Sequence, residues 1–294
     1  MSARALHYVF KIGNRKASYD FYTKVLKMKI LRHEEFTEGC QAECNGPFNG
    51  KWSKTMVGYG SEDQHFVLEL TYNYEISSYT QGNDFCAIII ESEEVFNTVK
   101  ARGNYDVRPC GKLAIVDPDG HGVYIANGET GKPAKIIRCC VNVENLENSL
   151  KYWCGVHNMK RTKYNEINKT AHLSFGDGQC IWELRELKEG KIDRASAYGR
   201  IAFSIPAAQL TALNEKMKSS KLPILKDLVT LETPGKAAVQ VIILADPDNH
   251  EVCFVGDEGF RSLSKIDPKA DEKIRESITK DDSDSWFTNG KKRV

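Results

Sequence analysis

The chain has 294 residues, of which 41% are hydrophobic and 10% aromatic. This composition can form a sizeable core, so it excludes wholesale disorder. Lys and Arg number 41 and Asp and Glu 40, which gives a net charge of +1 and no electrostatic drive toward nucleic acid or an anionic membrane. The longest apolar stretches fall far short of the roughly 18 residues of a membrane span. We therefore expect neither nucleic acid nor a membrane as a partner.

The cysteine content indicates the redox compartment. There are nine cysteines, an odd number, and no Cys-x-x-Cys pair is repeated. This pattern favours free thiols in a reducing compartment over a disulfide framework. The first residues, Met1 to Arg4, do not resemble a signal peptide. The prediction is a cytoplasmic protein, with a mitochondrial location as the alternative.

The first half of the chain contains two strand–helix patterns. A strand is predicted at Leu6–Ile12, and the helix Lys16–Met28 follows because its apolar residues recur at helical spacing. The second pattern begins with the strand Phe85–Glu91 and continues into a helix with acidic residues in its first turn and Gly103 at its end. The further strands of this half are predicted at Thr55–Tyr59, Phe66–Tyr72 and Leu113–Val116.

The second half repeats this order. The strand Ile136–Val143 precedes a helix marked by regularly spaced apolar residues, and the strand Arg200–Ile205 precedes a helix that begins after Pro206. The further strands are predicted at Ala171–Phe175, Cys180–Leu184 and Val239–Ala245. Beyond Gly256 the pattern becomes helical, with apolar residues at Phe260, Leu263 and Ile266 and a charged stretch at Lys269–Lys280.

Internal repetition defines the organisation of the chain. Ser18–Met28 resembles Ser149–Met159, and Asp117–Ile125 resembles Asp246–Phe254, at offsets of 131 and 129 residues. The second pair begins with an Asp-Pro-Asp sequence that is typical of a β-turn. The chain therefore contains four βαβββ modules. We predict two domains of two modules each, at residues 4–130 and 134–256, and a helical tail at 257–294.

The modules resemble the vicinal oxygen chelate superfamily, and glyoxalase I in particular. The segment Phe21–Met28, FYTKVLKM, is similar to that family's Phe-Tyr-x-x-x-Leu-Gly-Met helix signature, and Leu68–Tyr74, LELTYNY, resembles its metal-binding strand. The long loop segment Asn45–Gly58 is similar to the glyoxalase domain-containing protein 4 family. The resemblance implies an α+β fold in which four tandem βαβββ modules form two curved-sheet cups, followed by the helical tail.

The resemblance also implies a chemistry. Glyoxalase I isomerises the hemithioacetal of methylglyoxal and glutathione to lactoylglutathione, with a carboxylate as the base and a divalent metal of the zinc or nickel class. It implies a small-molecule substrate, with glutathione as the co-substrate. Monomers with internal pseudo-symmetry and homodimers are both compatible with the sequence.

The family's ligand register can be carried onto eight positions of this chain. In the first half they are His7, Glu69, Ala87 and Tyr124, and in the second half they are Arg138, Glu183, Arg200 and Cys253. Only His7, Glu69 and Glu183 are residues of the family type, and Cys253 can bind metal as a thiolate. The resemblance predicts His7, Glu69 and Cys253 as metal ligands, Glu69 and Glu183 as catalytic carboxylates, and Arg200 and Arg138 as cofactor-binding cations.

The sequence leaves the pairing of the modules open. If modules one and two share a cup, His7 and Glu69 face Ala87 and Tyr124; if modules one and four share a cup, they face Arg200 and Cys253. In the second case we expect a salt bridge between Arg200 and Glu69, because a buried carboxylate needs a compensating charge.

Three functional hypotheses follow from these residues. The first is a glyoxalase I-like enzyme, which the fold resemblance favours. The second is a catalytically degenerate protein that binds a small molecule or acts as a scaffold, and the third is an enzyme of the same fold with another substrate. The incomplete ligand set favours the second and third hypotheses.

Overall fold

The computed structural model describes residues 3–233 and 236–283, and these form four βαβββ modules followed by two helices. This confirms the predicted α+β fold of four tandem modules. Module 1 comprises β1 (Arg4–Ile12), α1 (Arg15–Asp20), β2 (Lys29–Phe36), β3 (Trp52–Gly58) and β4 (Val67–Asn73). Module 2 comprises β5 (Phe85–Glu91), α2 (Glu93–Arg102), β6 (Asp106–Val107), β7 (Leu113–Val116) and β8 (Gly122–Ala126).

The second half of the chain has the same element order. Module 3 comprises β9 (Lys135–Val143), α3 (Leu146–Leu150), β10 (Lys160–Asn165), β11 (Thr170–Ser174) and β12 (Ile181–Glu186). Module 4 comprises β13 (Arg200–Ile205), α4 (Leu210–Ser219), β14 (Ile224–Leu231), β15 (Val239–Ala245) and β16 (Glu251–Gly256). The final helices are α5 (Asp257–Leu263) and α6 (Ala270–Lys280). None of the helices in the described parts of the chain has the length and apolar character needed to cross a bilayer.

Each sheet is built from one module of each half. The first sheet has the strand order β14-β15-β16-β13-β1-β4-β3-β2, and the second has the order β10-β11-β12-β9-β5-β8-β7-β6. Modules 1 and 4 therefore form one curved sheet, here called the first cup, and modules 2 and 3 form the second cup. This settles the pairing that the sequence left open. The division into domains 4–130 and 134–256 stays a prediction about the repeated halves of the sequence.

Strand register places the predicted site positions in equivalent places. In all four modules the first strand runs parallel to the last. In modules 1, 3 and 4 this places His7 opposite Val67, Arg138 opposite Ile181 and Arg200 opposite Glu251. Two residues further along, the partners on the last strands are Glu69, Glu183 and Cys253. Because side chains alternate between the faces of a strand, these three carboxylate or thiol positions share the cup face with the first-strand positions.

The first helix of each half changes its winding before it ends. The side chains of Asn14 and Asn145 cap α1 and α3 by accepting hydrogen bonds from backbone N–H groups in the first turn. The chain then continues as a wider π-helical turn at Phe21–Val25 and at Lys151–Val156. The predicted helix Lys16–Met28 is therefore a short α-helix followed by a π-helical turn. Such turns replace the regular hydrogen-bond pattern locally.

The repeated Asp-Pro-Asp turns hold neighbouring modules together. Asp117 accepts a hydrogen bond from the hydroxyl of Tyr22 at 2.8 Å, and Asp119 accepts one from the backbone N–H of Gly13 at 2.7 Å. The same contacts recur in the second half, where Asp246 accepts from Trp153 and Asp248 accepts from the backbone N–H of Glu144. These turns therefore lock module 2 onto module 1, and module 4 onto module 3.

The two C-terminal helices pack against the first cup. Phe260 and Leu263 of α5 are buried and line the first cup, and Ile274 of α6 is buried where that helix packs against β2. Ile266 does not continue this apolar face, because α5 ends at Leu263 and the Ile266 side chain is 47% exposed. Residues 284–294 of the predicted tail lie outside the described residues.

One disulfide corrects the prediction that the cysteines are free thiols. Cys40 and Cys44 are bonded to each other in the loop between β2 and β3. Glu43, between them, has a positive φ of 51°, and its N–H donates to the carbonyl of Cys40, so a tight turn brings the two side chains together. Because the two cysteines are only four residues apart, the disulfide constrains one loop and does not connect different parts of the fold. The remaining seven cysteines are free.

Candidate active site

The first cup encloses a cavity of about 230 Å³ at the centre of its sheet. The predicted residues His7, Glu69, Arg200 and Cys253 all line it, as expected for a cup formed by modules 1 and 4. Much of the remaining wall is apolar, and it includes Phe260 of α5. Buried polar groups in an apolar, concave setting are typical of a small-molecule site.

His7 is held in one orientation by a buried carboxylate. Its Nδ1 atom lies 2.9 Å from Oε1 of Glu62, and the other oxygen of Glu62 accepts a hydrogen bond from Nη2 of Arg32 at 2.8 Å. Burial alone would raise the pKa of Glu62, but Arg32 and the hydrogen bond from His7 outweigh it and lower this pKa to about 2. Glu62 is therefore ionised at neutral pH and accepts the Nδ1–H of His7, which leaves Nε2 directed into the cup.

Glu69 lies beside the free nitrogen of His7. Oε2 of Glu69 is 3.6 Å from Nε2 of His7, and Oε1 accepts a hydrogen bond from the hydroxyl of Thr71 at 3.3 Å. Glu69 is only 6% exposed. The two strands are parallel neighbours, so the sheet places the imidazole and the carboxylate side by side. A carboxylate next to an oriented imidazole can move a proton to or from a bound molecule.

The expected salt bridge between Arg200 and Glu69 is not formed. Nε and Nη2 of Arg200 both donate to Oε2 of Glu251, at 2.9 and 2.7 Å. Arg200 and Glu251 are direct register partners on adjacent strands, whereas β1 lies between Arg200 and the strand that carries Glu69. Arg200 also donates to the backbone carbonyls of Ala42 and Glu43. The guanidinium therefore anchors the disulfide loop over the cup, and its role as a cofactor-binding cation stays a prediction.

The donor set of the first cup does not fit a divalent metal. Burial raises the pKa of the Cys253 thiol to about 12, so this side chain is a neutral thiol at physiological pH. The position of the family's second histidine holds the cationic Arg200. Across residues 3–233 and 236–283, no three His, Cys, Asp or Glu side chains are arranged to hold a metal ion. The metal assignment of His7, Glu69 and Cys253 stays a prediction.

The second cup replaces the imidazole–carboxylate pair by arginine–carboxylate pairs. Glu183 accepts hydrogen bonds from Arg138 at 2.8 Å and from Arg185 at 2.9 Å, and it lies 3.4 Å from His172. Burial alone would raise the pKa of Glu183, but the hydrogen bond with His172 and the two arginines outweigh it and hold this pKa at about 2. Glu183 is therefore a weak base. Its catalytic role and a cofactor-binding role of Arg138 stay predictions.

Sequence reasoning missed two side chains of the first cup. Glu62 lies in a loop, 55 residues from His7, and nothing in its neighbourhood marks it as a partner of the histidine. Lys54 lines the cavity from β3 and is a register partner of Thr71. Alternation along β3 could have found Lys54. Lys54 lies opposite Thr71 and Met56 lies opposite Glu69, and all four side chains are on the face opposite to that of Thr55 and Leu70.

Comparison with known proteins agrees with this fold. The family described as the glyoxalase/bleomycin resistance protein/dioxygenase superfamily matches residues 4–125, and the C-terminal domain family of glyoxalase domain-containing protein 4-like proteins matches residues 145–263. The structure is similar to the crystal structure of glyoxalase I from Zea mays, with a TM-score of 0.71 and 22% identity, over 89% of this chain and 95% of that one. At this identity the likeness shows the fold alone.

Relatives that match over nearly their whole length identify the family of this chain. A Caenorhabditis elegans protein named glyoxalase 1 is 55% identical over 98% of this chain and 100% of its own length. Glyoxalase domain-containing protein 4 from Rattus norvegicus is 46% identical over 99% of this chain and 98% of its own length. The chain belongs to the glyoxalase domain-containing protein 4 family, within the glyoxalase I-like branch of the vicinal oxygen chelate fold.

Proposed function

We propose that this protein is a glyoxalase I-like isomerase that acts in methylglyoxal handling, on the hemithioacetal of methylglyoxal and glutathione. One observation carries the proposal: His7 and Glu69 lie 3.6 Å apart in a mostly buried cavity, and the buried Glu62 fixes the orientation of the imidazole. The relative named glyoxalase 1 supports the same substrate class.

The proposed reaction is a proton transfer between neighbouring carbons. Glu69 removes the proton from the carbon that bears sulfur, and the electrons move into the adjacent carbonyl to give an enediol. Nε2 of His7, beside Glu69, exchanges a proton with the enediol oxygens. Return of the proton to the neighbouring carbon completes the thioester lactoylglutathione. General acid–base groups of this kind contribute roughly 10²- to 10⁴-fold to a rate.

Lys54 is the cation that we assign to the substrate's carboxylates. It lines the cavity, and its Nζ atom lies 5.6 Å from the centre of the Phe36 ring. Arg200 is a poorer candidate, because three of its nitrogens already donate to Glu251 and to two backbone carbonyls. A glutathione conjugate carries carboxylates that a lysine at the wall of the cavity would attract.

The test is a thioester-forming assay with methylglyoxal and glutathione on the purified protein, together with metal analysis of the same sample. We expect His7→Ala and Glu69→Gln each to lower kcat/KM by at least tenfold. Glu232→Gln, which removes an exposed carboxylate from the rim of the same cavity, is the matched control and should leave turnover within a factor of two. Full turnover in both His7→Ala and Glu69→Gln would contradict the proposal.

Binding without turnover is the second candidate function. It is favoured by the cationic Arg200 and the neutral Cys253 at two of the four ligand positions, because the family reaction normally uses a metal there. Calorimetry with S-substituted glutathione distinguishes the two cases: binding that depends on Lys54, with no turnover in the assay, supports this candidate. A cytoplasmic location and the choice between monomer and homodimer stay predictions.

A further inference from the structure

The second cup presents two cysteines side by side on its concave face. In the antiparallel pair of β5 and β9, Phe85 is opposite Val141 and Ala87 is opposite Cys140, so Cys86 is the additional residue of a β-bulge. A bulge turns the additional residue toward the face of its neighbour. Cys86 therefore lies next to Cys140 on the sheet.

Cationic and polar side chains surround the sulfur of Cys86. Nη1 of Arg185 donates to this sulfur at 3.3 Å, and the hydroxyl of Tyr124 lies 3.9 Å from it. Arg108 donates in turn to the Tyr124 hydroxyl at 2.8 Å. A guanidinium in direct contact with sulfur favours the thiolate, which is the nucleophilic form of cysteine. Glu183, held by the same Arg185, is a carboxylate that opposes this effect.

The two thiols differ in protonation and in access. The hydrogen bond from Cys140 and the contact with Arg185 outweigh burial and lower the pKa of Cys86 to about 6. Cys140 is fully buried, and the contact with Cys86 and burial raise the pKa of its thiol. Cys86 opens onto a pocket of about 230 Å³ that Arg108 and Tyr124 also line. This combination of an accessible thiolate and a buried neighbouring thiol is the arrangement of an attacking and a resolving cysteine.

We propose that Cys86 and Cys140 form a reactive dithiol site that is oxidised by small anionic disulfides, of which glutathione disulfide is the probe. The Cys86 thiolate attacks one sulfur of glutathione disulfide, a mixed disulfide forms, and one glutathione thiolate leaves and takes up a proton. Cys140 then gives up its proton and attacks the Cys86 sulfur, and the second glutathione leaves as a thiolate that takes up this proton. The net change is one protein disulfide formed and two glutathione molecules released.

The choice of an anionic disulfide rests on charge. Two guanidiniums, those of Arg185 and Arg108, lie on the approach to Cys86, and Asp106 is the acidic residue that lines the same pocket. Glutathione disulfide carries carboxylates that these cations attract, whereas cystamine is a disulfide with ammonium groups that they repel. Reaction with cystamine at an equal or higher rate would overturn the assignment of an anionic partner. This site is separate from the first cup, so the inference does not depend on the proposed isomerase activity.

The experiment uses the full chain carrying Cys110→Ser, because Cys110 is an exposed thiol that would react in the background. The reduced protein is mixed with glutathione disulfide at pH 7, quenched by alkylation and mapped by peptide mass spectrometry. We expect a Cys86–Cys140 crosslink and no retained glutathione. In the Cys140→Ser variant we expect one glutathione trapped on Cys86, and in the Cys86→Ser variant neither product.

Two further measurements separate reactivity from structural damage. Arg185→Met should move the pH midpoint of Cys86 alkylation upward from about 6 and slow the reaction at pH 7 by roughly tenfold, because less thiolate is present. Its melting temperature and the alkylation rate of Cys154 serve as controls for folding. The proposal is overturned if Cys86 stays unmodified in the Cys140→Ser variant, if only peroxide oxidises the pair, or if Arg185→Met leaves the midpoint unchanged.

Discussion

Replacing Glu62 by Gln tests how much the buried negative charge beside the first cup contributes to the stability of the protein. Glu62 is 2% exposed and contacts Arg32 at 2.8 Å and His7 at 2.9 Å. Gln has nearly the same shape and its carbonyl oxygen can still accept the Nδ1–H of His7. The variant therefore removes the negative charge and leaves the guanidinium of Arg32 buried with weaker compensation.

The expected loss can be worked out from the pKa of Glu62. The folded protein lowers this pKa from 4.5 to about 2, which corresponds to about 3 kcal/mol of stability at neutral pH. Removal of one partner of a buried ion pair costs about 3–5 kcal/mol, which agrees. Because the folded pKa is lowered, this stability is present above pH 4.5 and is lost as pH falls from 4.5 toward 2.

Urea unfolding of wild type and Glu62→Gln at several pH values measures this contribution. We expect a difference of about 3 kcal/mol at pH 7 that narrows by about 1 kcal/mol at pH 4. The double variant Arg32→Met, Glu62→Gln should recover part of the loss, because it removes the uncompensated charge. A difference that stays constant between pH 7 and pH 4, or a double variant no more stable than Glu62→Gln, would refute the reasoning.

The same variant has a second readout in turnover. Without the Glu62 carboxylate the proposed proton exchange at His7 loses its neighbouring negative charge, so kcat/KM should fall at least tenfold. Glu34→Gln is the matched control, since Glu34 is also buried and lies 3.4 Å from Arg32, and the structure shows no contact between Glu34 and His7. It should lose stability and keep activity.

Three further predictions concern the packing between modules and helices. Burial raises the pKa of Asp119 from 3.8 to about 6, so wild type loses about 3 kcal/mol of stability as pH rises through that range. In urea unfolding, Asp119→Asn should therefore be more stable than wild type at pH 8 but not at pH 3.5. Gly82→Ala would place a Cβ 2.0 Å from the backbone oxygen of Asp193, and melting curves should show a loss of at least 2 kcal/mol. Phe260→Ala removes a buried ring over the first cup and should cost about 3 kcal/mol, measured by urea unfolding.

The repeated elements were predictable because their signals are local. Leu113–Val116 and Val239–Ala245 have the observed bounds, and the Asp-Pro-Asp turns mark equivalent places in both halves. The positions equivalent to His7 and Glu69 followed from the family resemblance, and alternation along a strand then fixes which face each residue takes. Fold class and cup-facing residues are therefore within reach of the sequence.

The contacts that set the chemistry were not predictable in the same way. The partner of Arg200 depends on which strands are neighbours, and the pairing of modules 1 and 4 was one of two alternatives. Glu62 reaches His7 from a loop, and Cys86 reaches Cys140 only because a bulge turns its side chain toward the cup. Each of these contacts needs the assembled sheet, since no short-range pattern carries a signal for it.

The two cups share a scaffold but differ in the charge opposite their carboxylates. At equivalent places, the first cup pairs Glu69 with the imidazole of His7, and the second pairs Glu183 with the guanidinium of Arg138. An imidazole can take up and release a proton near neutral pH, whereas a guanidinium stays charged and holds its carboxylate ionised as a weak base. We therefore assign the proposed proton transfer to the first cup. In the second cup the cationic surroundings suit the Cys86 thiolate, so the two proposed chemistries would share one repeated fold.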